Sequence, residues 1–388
     1  MTSMQIFHPL QTLSLTQLQR RQSAKWQRYG KDILPLWVAE MDVPLAQPII
    51  DAVQNAMEMG DTGYGNGDAY GEAFAEFALA RWNWTVDPVD TFAVIDVLTG
   101  ITEVIAQISG EDVPVVITPP VYGPFEKYVT RMGRKLLHAV LTPEGRLNPE
   151  TLETAFAAIK KARTGGIVLI SNPHNPTGVS HTRAELEMLS ALATTYGIRI
   201  ISDEIHAPLQ MPGHEFTPIL TVTGAESAIV VTSASKSFNL AGLKAALVVG
   251  GPPSRADLNA LREGHVHGAS HLGVISHAAA YHSGGPWIDA VIADLNTNRH
   301  LLGDLVAKHL PGAHYFLPES TYLAWVDCRP LQLAGDPAQI FEEQGKVAFS
   351  PGSFFGDEGA GHVRINFATS PTILTEALRR AGSVLLAR

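Results

Sequence analysis

Cysteine, long apolar runs and excess positive charge are scarce in this 388-residue sequence, and each shortage excludes a class of protein. The one cysteine, Cys328, cannot form an intrachain disulfide, which favours a reducing compartment such as the cytoplasm. No run approaches the ~18 apolar residues that a membrane-spanning helix needs. Lys and Arg number 28 against 38 Asp and Glu, and the net charge of −10 disfavours nucleic acid or an anionic membrane as the main partner.

The start of the chain gives no sign of export. Residues 1–21 are polar and interrupted by Pro9, and no apolar segment follows Arg20 and Arg21, so we expect no secretion signal. The rest of the composition, 45% apolar and 17% charged, is typical of a globular enzyme. The length allows a large core and two domains.

Short apolar runs alternate with helical patterns in the middle of the chain. One helix marks both of its ends, because Thr182 and Glu185 form a capping box and Gly197 follows its last turn. A strand on each side of this helix makes a βαβ unit, which predicts an α/β fold with a mainly parallel sheet flanked by helices. Ligands on such sheets bind beyond the carboxyl ends of the strands. The predicted strands cover residues 113–118, 166–170, 198–202, 228–232 and 245–249.

The pattern changes near the end of the chain and predicts a second domain. We expect a large domain over residues 46–287 and a smaller α+β domain over residues 288–388. Part of the segment 1–45 is too apolar for a free tail, so we expect it to pack on the smaller domain. The strand-like runs of the smaller domain are 321–326, 346–349 and 362–367.

Lys236 carries the most specific chemical signal, in the segment SASKSFNLAGLK that follows a predicted strand. An amine at the end of a buried strand is surrounded by apolar chain, which lowers its pKa and leaves it free to form a Schiff base. The hydroxyl groups of Ser233 and Ser235 are suitably placed to receive a phosphate. An ordinary surface lysine after a strand is the alternative interpretation.

Two other polar segments also follow predicted strands. In SNPHNPTG the prolines stiffen the turn and could aim the Asn175 amide at a ligand, although the same residues are common in plain loops. In SDEIH the carboxylate of Asp203 needs a positive partner, such as a protonated pyridine nitrogen, because isolated buried charge is unfavourable. His206 could reach the same ring or be a hydrogen-bonded structural histidine.

Asn175, Asp203 and Lys236 lie at successive strand ends, about thirty residues apart, and this order resembles the fold-type I enzymes of pyridoxal phosphate (PLP), the aspartate aminotransferase superfamily. The resemblance implies a large PLP-binding domain with a mainly parallel seven-stranded sheet. It implies that Lys236 forms the Schiff base and removes the Cα proton. Asp203 would keep the ring nitrogen protonated, Asn175 would donate a hydrogen bond to the phenolic oxygen, and His206 would contact the ring.

The same resemblance assigns contacts to the cofactor phosphate. Ser233, Ser235 and Lys244 match phosphate-binding positions around the lysine, although many members carry arginine where Lys244 stands. The phosphate also needs backbone N–H groups at a helix N-terminus, with a plain helix start as the alternative. The residues that match this place are Gly100, Ile101 and Thr102.

Three further matches concern the ring, the partner subunit and the substrate. Tyr122 matches the aromatic residue that stacks on the cofactor ring. Tyr64 matches a tyrosine that reaches the phosphate of the neighbouring subunit, which implies a homodimer with shared active sites. Arg364 matches the arginine that binds the substrate α-carboxylate, since its planar fork meets two oxygens at once.

A narrower resemblance, close to end to end, is to the MalY/PatB type of cystathionine β-lyase, also called carbon–sulfur lyases. His206 stands where aminotransferases carry tyrosine, and the segment 37–42 is characteristic of the lyases, although Glu40 replaces their usual aspartate. We expect this segment to form a lid over the substrate, with Trp37 and Tyr322 as substrate contacts beside Arg364 and Asn175. The matching segments are 37–42, 64–65, 82–84, 202–206, 235–242, 320–325 and 350–364.

The resemblance implies an α,β-elimination in which L-cystathionine or a related cysteine S-conjugate yields a thiol, pyruvate and ammonia. Lys236 or Tyr122 would protonate the departing thiolate. A class I/II aminotransferase that transfers the amino group to a 2-oxo acid is the alternative function, and a non-catalytic regulator of a partner ranks third. The histidine-rich stretch 265–271 lacks a settled ligand set, so we expect no metal there.

Overall fold

The computed structural model of the chain describes residues 7–65, 67–264 and 268–386. Strands and helices alternate through most of its length, as the βαβ pattern predicts. The strands are β1 (Leu34–Pro35), β2 (Thr91–Val94), β3 (Val115–Ile117), β4 (Leu136–His138), β5 (Gly166–Ser171), β6 (Ile198–Asp203), β7 (Ile229–Thr232), β8 (Ala246–Gly250), β9 (His314–Tyr315), β10 (Leu323–Asp327), β11 (Val347–Ala348), β12 (Ser350–Pro351) and β13 (His362–Asn366).

The helices lie between and after these strands. They are α1 (Leu15–Leu18), α2 (Ala24–Gln27), α3 (Gln47–Met59), α4 (Asp68–Trp82), α5 (Val97–Ile108), α6 (Pro124–Arg131), α7 (Pro149–Ala162), α8 (Arg183–Tyr196), α9 (Arg255–Gly264), α10 (His271–Ser283), α11 (Gly285–His309), α12 (Pro337–Glu343) and α13 (Pro371–Leu386). Among the described residues, no helix is both long and apolar enough to cross a membrane.

A large sheet forms the centre of the fold, and within the described residues it has seven strands in the order β2-β8-β7-β6-β5-β3-β4. Neighbouring strands are parallel except at β8, which is antiparallel to both β2 and β7. The prediction of a mainly parallel sheet is confirmed. Every residue of β5 is buried, as expected for a parallel strand covered on both faces.

Alternate residues of the strands of this sheet belong to two apolar cores. On β5, Val168 points to the core that contains Phe156 of α7 and Leu186 of α8. The next residue, Leu169, points to the opposite core, which contains Ile101 of α5. This alternation explains how helices cover both faces, because successive side chains of a strand point to opposite sides.

The helix predicted from its end signals is α8. The Glu185 N–H donates to the Thr182 hydroxyl at 3.2 Å, and the Thr182 N–H donates to the Glu185 carboxylate at 2.7 Å. Gly197 ends the helix with a φ of +70°, which favours glycine. The capping box therefore fixes where the chain leaves β5 and returns to β6.

A smaller sheet in the order β12-β13-β10-β9 lies in the C-terminal part of the chain, and its strands are antiparallel. The run predicted at 346–349 forms β11, which pairs in parallel with β1, so that Leu34 lies beside Val347. The N-terminal segment thus contacts the C-terminal part. The division of the chain at residues 45 and 287 stays a prediction.

A buried ion pair holds the N-terminal segment in place. The Lys25 ammonium, on α2, lies 2.8 Å from the Asp42 carboxylate, and both side chains are almost fully buried. Trp26 donates from its indole nitrogen to Asp42 at 2.9 Å, and Lys25 also donates to the carbonyl of Glu40 at 3.1 Å. Short helix α2 is therefore anchored by two adjacent side chains.

Replacing Asp42 by alanine leaves the Lys25 ammonium buried without a counter-charge, so we expect the free energy of unfolding to fall by about 3–5 kcal/mol. Thermal unfolding followed by circular dichroism measures this loss as a lower midpoint. The double variant Lys25→Met/Asp42→Leu removes both charges and is expected to recover most of the stability. An equal loss in the single and double variants would contradict the ion-pair explanation.

Candidate active site

A cavity of about 430 Å³ opens at the carboxyl ends of β5, β6 and β7, where the N-terminal segment and β13 meet the large sheet. This is the edge of a parallel sheet at which ligands bind. Most of the predicted site residues line it: Trp37, Tyr122, Asn175, Asp203, His206, Ser235, Lys236, Lys244 and Arg364.

Lys236 lies in the turn that follows β7, and its amine donates to the carbonyl of Ala39 at 3.1 Å. Burial, helped by the positive charge of Arg364 and opposed by Asp203, lowers the pKa of Lys236 to about 8. With a pKa of about 8, roughly a tenth of this amine is uncharged at pH 7, far more than for a lysine in water. A lysine in this state is suited to nucleophilic attack and to proton transfer.

Asp203 is the last residue of β6, and the N–H of Ile205 donates to its carboxylate at 3.1 Å. Burial raises the pKa of Asp203 to about 7, although this hydrogen bond and the charge of Lys236 lower it. Within the described part of the chain, no basic side chain lies within ion-pair distance of the carboxylate. The carboxyl group is thus suited to a cationic partner that enters the cavity.

Arg364, on β13, is a second buried charge at the cavity wall, with 4% of its surface exposed. Its guanidinium donates to Asn175 Oδ1 and to the carbonyl of Trp37, both at 2.9 Å, and to the Ser350 hydroxyl at 3.2 Å. These partners are all neutral, and Nε has no hydrogen-bond partner among the described residues. Burial lowers the pKa of Arg364 to about 10. A buried guanidinium with only neutral partners marks an anion site.

The segment 37–42 is held along its length by hydrogen bonds, and its predicted role as a lid over the substrate stays a prediction. Asn239 accepts from the N–H of Met41 at 2.8 Å and donates to its carbonyl at 3.0 Å. Asn366 donates to the carbonyls of Val38 and Glu40, each at 2.7 Å. A backbone with so many partners forms a fixed wall of the cavity.

The structure does not bring Gly100, Ile101 and Thr102 to the cavity. Helix α5 begins three residues before the predicted place, because Asp96 accepts from the Thr99 N–H at 2.9 Å and caps it. Gly100 donates its own N–H to the carbonyl of Asp96 at 2.8 Å. The backbone that reaches the cavity at this helix N-terminus is that of residues 97–98.

Lys244, which lines the same end of the cavity, forms an ion pair with Asp96 at 2.9 Å. Ser235 also lines the cavity, whereas Ser233 is buried and donates to the carbonyl of Ala245 at 2.7 Å. Ser233 also accepts from the Ser235 N–H at 3.1 Å. The structure therefore separates a serine that faces the cavity from one that shapes the turn.

The sequence predicts Tyr322 as a substrate contact and Tyr64 as a contact to the phosphate of the neighbouring subunit. Tyr322 is fully buried behind His206, with the two rings 6.1 Å apart and nearly perpendicular, and it is absent from the cavity wall. Tyr64 is 86% exposed and does not line the cavity of its own chain.

Tyr122 and His206 line the cavity from two sides. Burial raises the pKa of the Tyr122 hydroxyl, although the charge of Arg364 lowers it. Burial lowers the pKa of His206 well below its usual value, and the charges of Lys236 and Arg364 add to this shift. His206 is therefore a neutral imidazole at physiological pH.

Four residues at or beside the cavity were not predicted from the sequence: Arg28, Asp96, Asn239 and Phe354. Asp96 had a detectable signal, since an aspartate before an apolar helical pattern is a common N-cap. Arg28 and Phe354 reach the cavity mouth only through the path of the whole chain, and no local pattern marks them. In the histidine-rich stretch, His265 and His267 lie outside the described residues, and His271 pairs with Asp61 at 3.0 Å.

The comparison with known proteins identifies the family. The model of the family described as Aminotransferase class I and II matches residues 31–380. This chain therefore belongs to the aminotransferase class I and II family. A Mycobacterium leprae (strain TN) protein is 46% identical over 397 residues, which cover 98% of each chain.

Two further likenesses are to proteins whose names state an activity. Cystathionine beta-lyase PatB of Bacillus subtilis (strain 168) is 32% identical over 378 residues, which cover 94% of this chain and 97% of PatB. The PLP-bound C-S lyase from Staphylococcus hominis superposes with a TM-score of 0.87 at 25% identity, covering 95% of this chain and 97% of that structure. These likenesses confirm the resemblance to the MalY/PatB type and the predicted fold class.

In the cofactor-free protein we expect the Lys236 amine to lose its proton near pH 8, because burial lowers its pKa. Below that pH the protonated amine resists acylation, and above it the free amine reacts. Brief treatment with acetic anhydride across pH 6–11, followed by peptide mass mapping, measures the midpoint. The exposed Lys161, on α7, is the internal control for the reactivity of a surface amine.

Arg364→Gln is expected to move the Lys236 midpoint upward, because the charge of Arg364 is one cause of the lowered pKa. If the Lys236 midpoint equals that of Lys161 in the unaltered chain, then burial does not lower the pKa of the Lys236 amine.

Proposed function

We propose that this chain is a PLP-dependent carbon–sulfur β-lyase that cleaves L-cystathionine or related cysteine S-conjugates to a thiol, pyruvate and ammonia. The observation that carries the proposal is a single cavity in which a lysine of lowered pKa adjoins a buried guanidinium with only neutral partners. The names of PatB and of the Staphylococcus hominis structure support the type of reaction.

The residues of the cavity fit PLP. Asp203 is a buried carboxyl with a raised pKa and no cation within ion-pair distance in the described chain, and a protonated pyridine nitrogen would supply that cation. Lys236 would hold the cofactor through its amine. Ser235, Lys244 and the N-terminus of α5 would hold the phosphate, with Lys244 exchanging its contact to Asp96 for one to the anion. When bound, PLP supplies an electron sink that acidifies the Cα proton of an amino acid.

Arg364 and Asn175 would fix the orientation of the substrate. The α-carboxylate would meet the guanidinium, which lacks an anionic partner within the described part of the chain. Asn175 uses Oδ1 to accept from Arg364, so its amide nitrogen stays free to donate to the cofactor ring oxygen. One asparagine would thereby couple the position of the carboxylate to that of the ring.

The amine of Lys236 is suited to move protons at two atoms. In its uncharged form Nζ would take the Cα proton, and in its charged form it would return a proton to the departing sulfur. Tyr122 lines the same cavity and keeps its proton because burial raises its pKa, so its hydroxyl is the other candidate donor to sulfur. The neutral His206 would contact the cofactor ring without adding a charge beside Asp203.

We further propose a cytoplasmic homodimer with shared active sites. The ring of Tyr64 is 86% exposed and lies outside the cavity of its own chain, which is compatible with a contact to a second subunit. The lone cysteine, Cys328, is buried, and burial raises the pKa of its thiol to about 12, as suits a reduced structural residue. Sedimentation of the purified protein tests the dimer.

An aminotransferase needs a 2-oxo acid to accept the amino group, whereas the proposed lyase does not, and this difference separates the two functions. We expect purified protein with PLP and L-cystathionine, without any 2-oxo acid, to release pyruvate and thiol in equal amounts. Lys236→Ala is expected to lower kcat by about 10³-fold or more, because it removes the group that moves the proton. Lactate dehydrogenase coupling measures pyruvate, and a thiol reagent measures homocysteine.

Lys161→Ala, at an exposed site on α7, is the matched control and is expected to retain full activity. Turnover that begins only when a 2-oxo acid is added would make the chain an aminotransferase. Turnover that persists in Lys236→Ala would remove Lys236 from the mechanism.

A further inference from the structure

The mouth of the cavity contains a cluster that the proposed mechanism does not use. It consists of three residues that all line the cavity: Arg28, Tyr29 and Trp37. The guanidinium of Arg28 lies 5.0 Å from the centre of the Trp37 ring and 5.7 Å from that of Tyr29. The two rings are perpendicular, with centres 5.9 Å apart. Aromatic faces hold a guanidinium in place while its N–H edge stays available.

Arg28 has no counter-ion among the residues that the structure describes. Among the other charged groups of the cavity, Lys244 is paired with Asp96, and Asp203 lies near Lys236 and stabilises its charge. No described carboxylate lies within ion-pair distance of Arg28, and its side chain contacts the two rings. The cavity thus has an unpaired guanidinium at its mouth as well as Arg364 in its wall.

The position of Arg28 is fixed although its side chain is exposed. It directly follows α2 and donates its backbone N–H to the carbonyl of Ala24 at 3.2 Å. Two buried residues of α2, Lys25 and Trp26, both contact Asp42. The backbone that bears Arg28 is therefore tied to the cavity wall.

Trp37 connects the two guanidinium groups. Its carbonyl accepts from Arg364 at 2.9 Å, and its ring supports Arg28. One residue of the cavity wall, Trp37, therefore contacts both guanidinium groups. A ligand with an anionic group at each end matches this arrangement, because each carboxylate would meet a fork of N–H donors.

We propose that Arg28 is a specificity-determining residue that binds a carboxylate at the far end of the substrate, on the side of the sulfur opposite to Cβ. This inference rests on the proposed function and narrows it to cysteine S-conjugates that bear a distal carboxylate. L-Cystathionine is such a compound. Arg364 binds the α-carboxylate, Arg28 binds the distal one, and the bond to be cleaved lies between them.

The test compares substrates that differ only beyond the sulfur. The holoenzyme is assayed for pyruvate with L-cystathionine, with S-(2-carboxyethyl)-L-cysteine, with uncharged S-ethyl-L-cysteine and with cationic S-(2-aminoethyl)-L-cysteine. Arg28→Met keeps the apolar stem over Trp37 and removes the charge. For each carboxylate substrate, kcat/KM is divided by kcat/KM for S-ethyl-L-cysteine. In Arg28→Met this ratio is expected to fall about 10- to 100-fold, mainly because KM for the carboxylate substrates rises.

Two companion variants make the result specific. Arg28→Lys retains the charge without the planar fork and is expected to restore part of the ratio. Arg20→Met removes an exposed arginine that does not line the cavity and is expected to leave the ratio unchanged. In Arg28→Met, kcat/KM for S-(2-aminoethyl)-L-cysteine is expected to rise relative to that for S-ethyl-L-cysteine, because the guanidinium no longer repels the ammonium group.

The outcomes separate this inference from the function on which it rests. Cleavage of S-ethyl-L-cysteine with an unchanged ratio in Arg28→Met overturns the role of Arg28 and leaves the lyase intact. A uniform loss with all substrates overturns that role as well, since it reveals a structural effect. Failure of the unaltered protein to form pyruvate from any of these substrates overturns both.

Discussion

The hydrogen bonds of Arg364 are the interaction on which the site depends, because they join three distant parts of the chain. The guanidinium, on the small sheet, contacts Asn175 after β5, the carbonyl of Trp37 in the N-terminal segment, and Ser350 on β12. A buried guanidinium is tolerated only when its donors find acceptors. Here the fold supplies neutral oxygen atoms, which satisfy most of the donors and leave the charge itself available to an anion.

The electrostatics of the cavity follow from burial more than from any pair of charges. Burial raises the pKa of Asp203 and lowers those of Lys236 and Arg364, so each group is less stable in its charged form than it would be in water. Placing the three together without complete pairing is unfavourable for the free protein. Such an arrangement is typical of sites whose ligand supplies the missing charges.

The parts of the site that the sequence predicts are those tied to a local signal. Asn175, Asp203 and Lys236 each follow a strand of the large sheet, and parallel strands bring such positions to one edge. The helix after β5 was predictable for the same reason, because its capping box spans only four residues. Short strands such as β1 and β9 gave no signal, since two residues cannot show a period.

The failures come from competition between interactions that the sequence shows separately. Gly100 matched a phosphate-binding position, but the Asp96 side chain captures an earlier N–H and starts the helix sooner. Tyr322 lies on the correct strand region yet behind His206, which takes the place nearer the cavity. The position of Arg28 depends on the buried ion pair between Lys25, in the preceding helix α2, and Asp42. No local sequence pattern shows that Lys25 pairs with Asp42.

The attachment of the N-terminal segment has a consequence for biosynthesis. Trp37 leaves the ribosome 327 residues before Arg364, the side chain that binds its carbonyl. The segment also lacks its β-partner, β11, until most of the chain has emerged. At about 5–20 residues per second, translation imposes a wait of tens of seconds on an apolar segment with no surface to cover it. A nascent chain can therefore fold its central sheet early, but it acquires a substrate pocket only when its last strands are released.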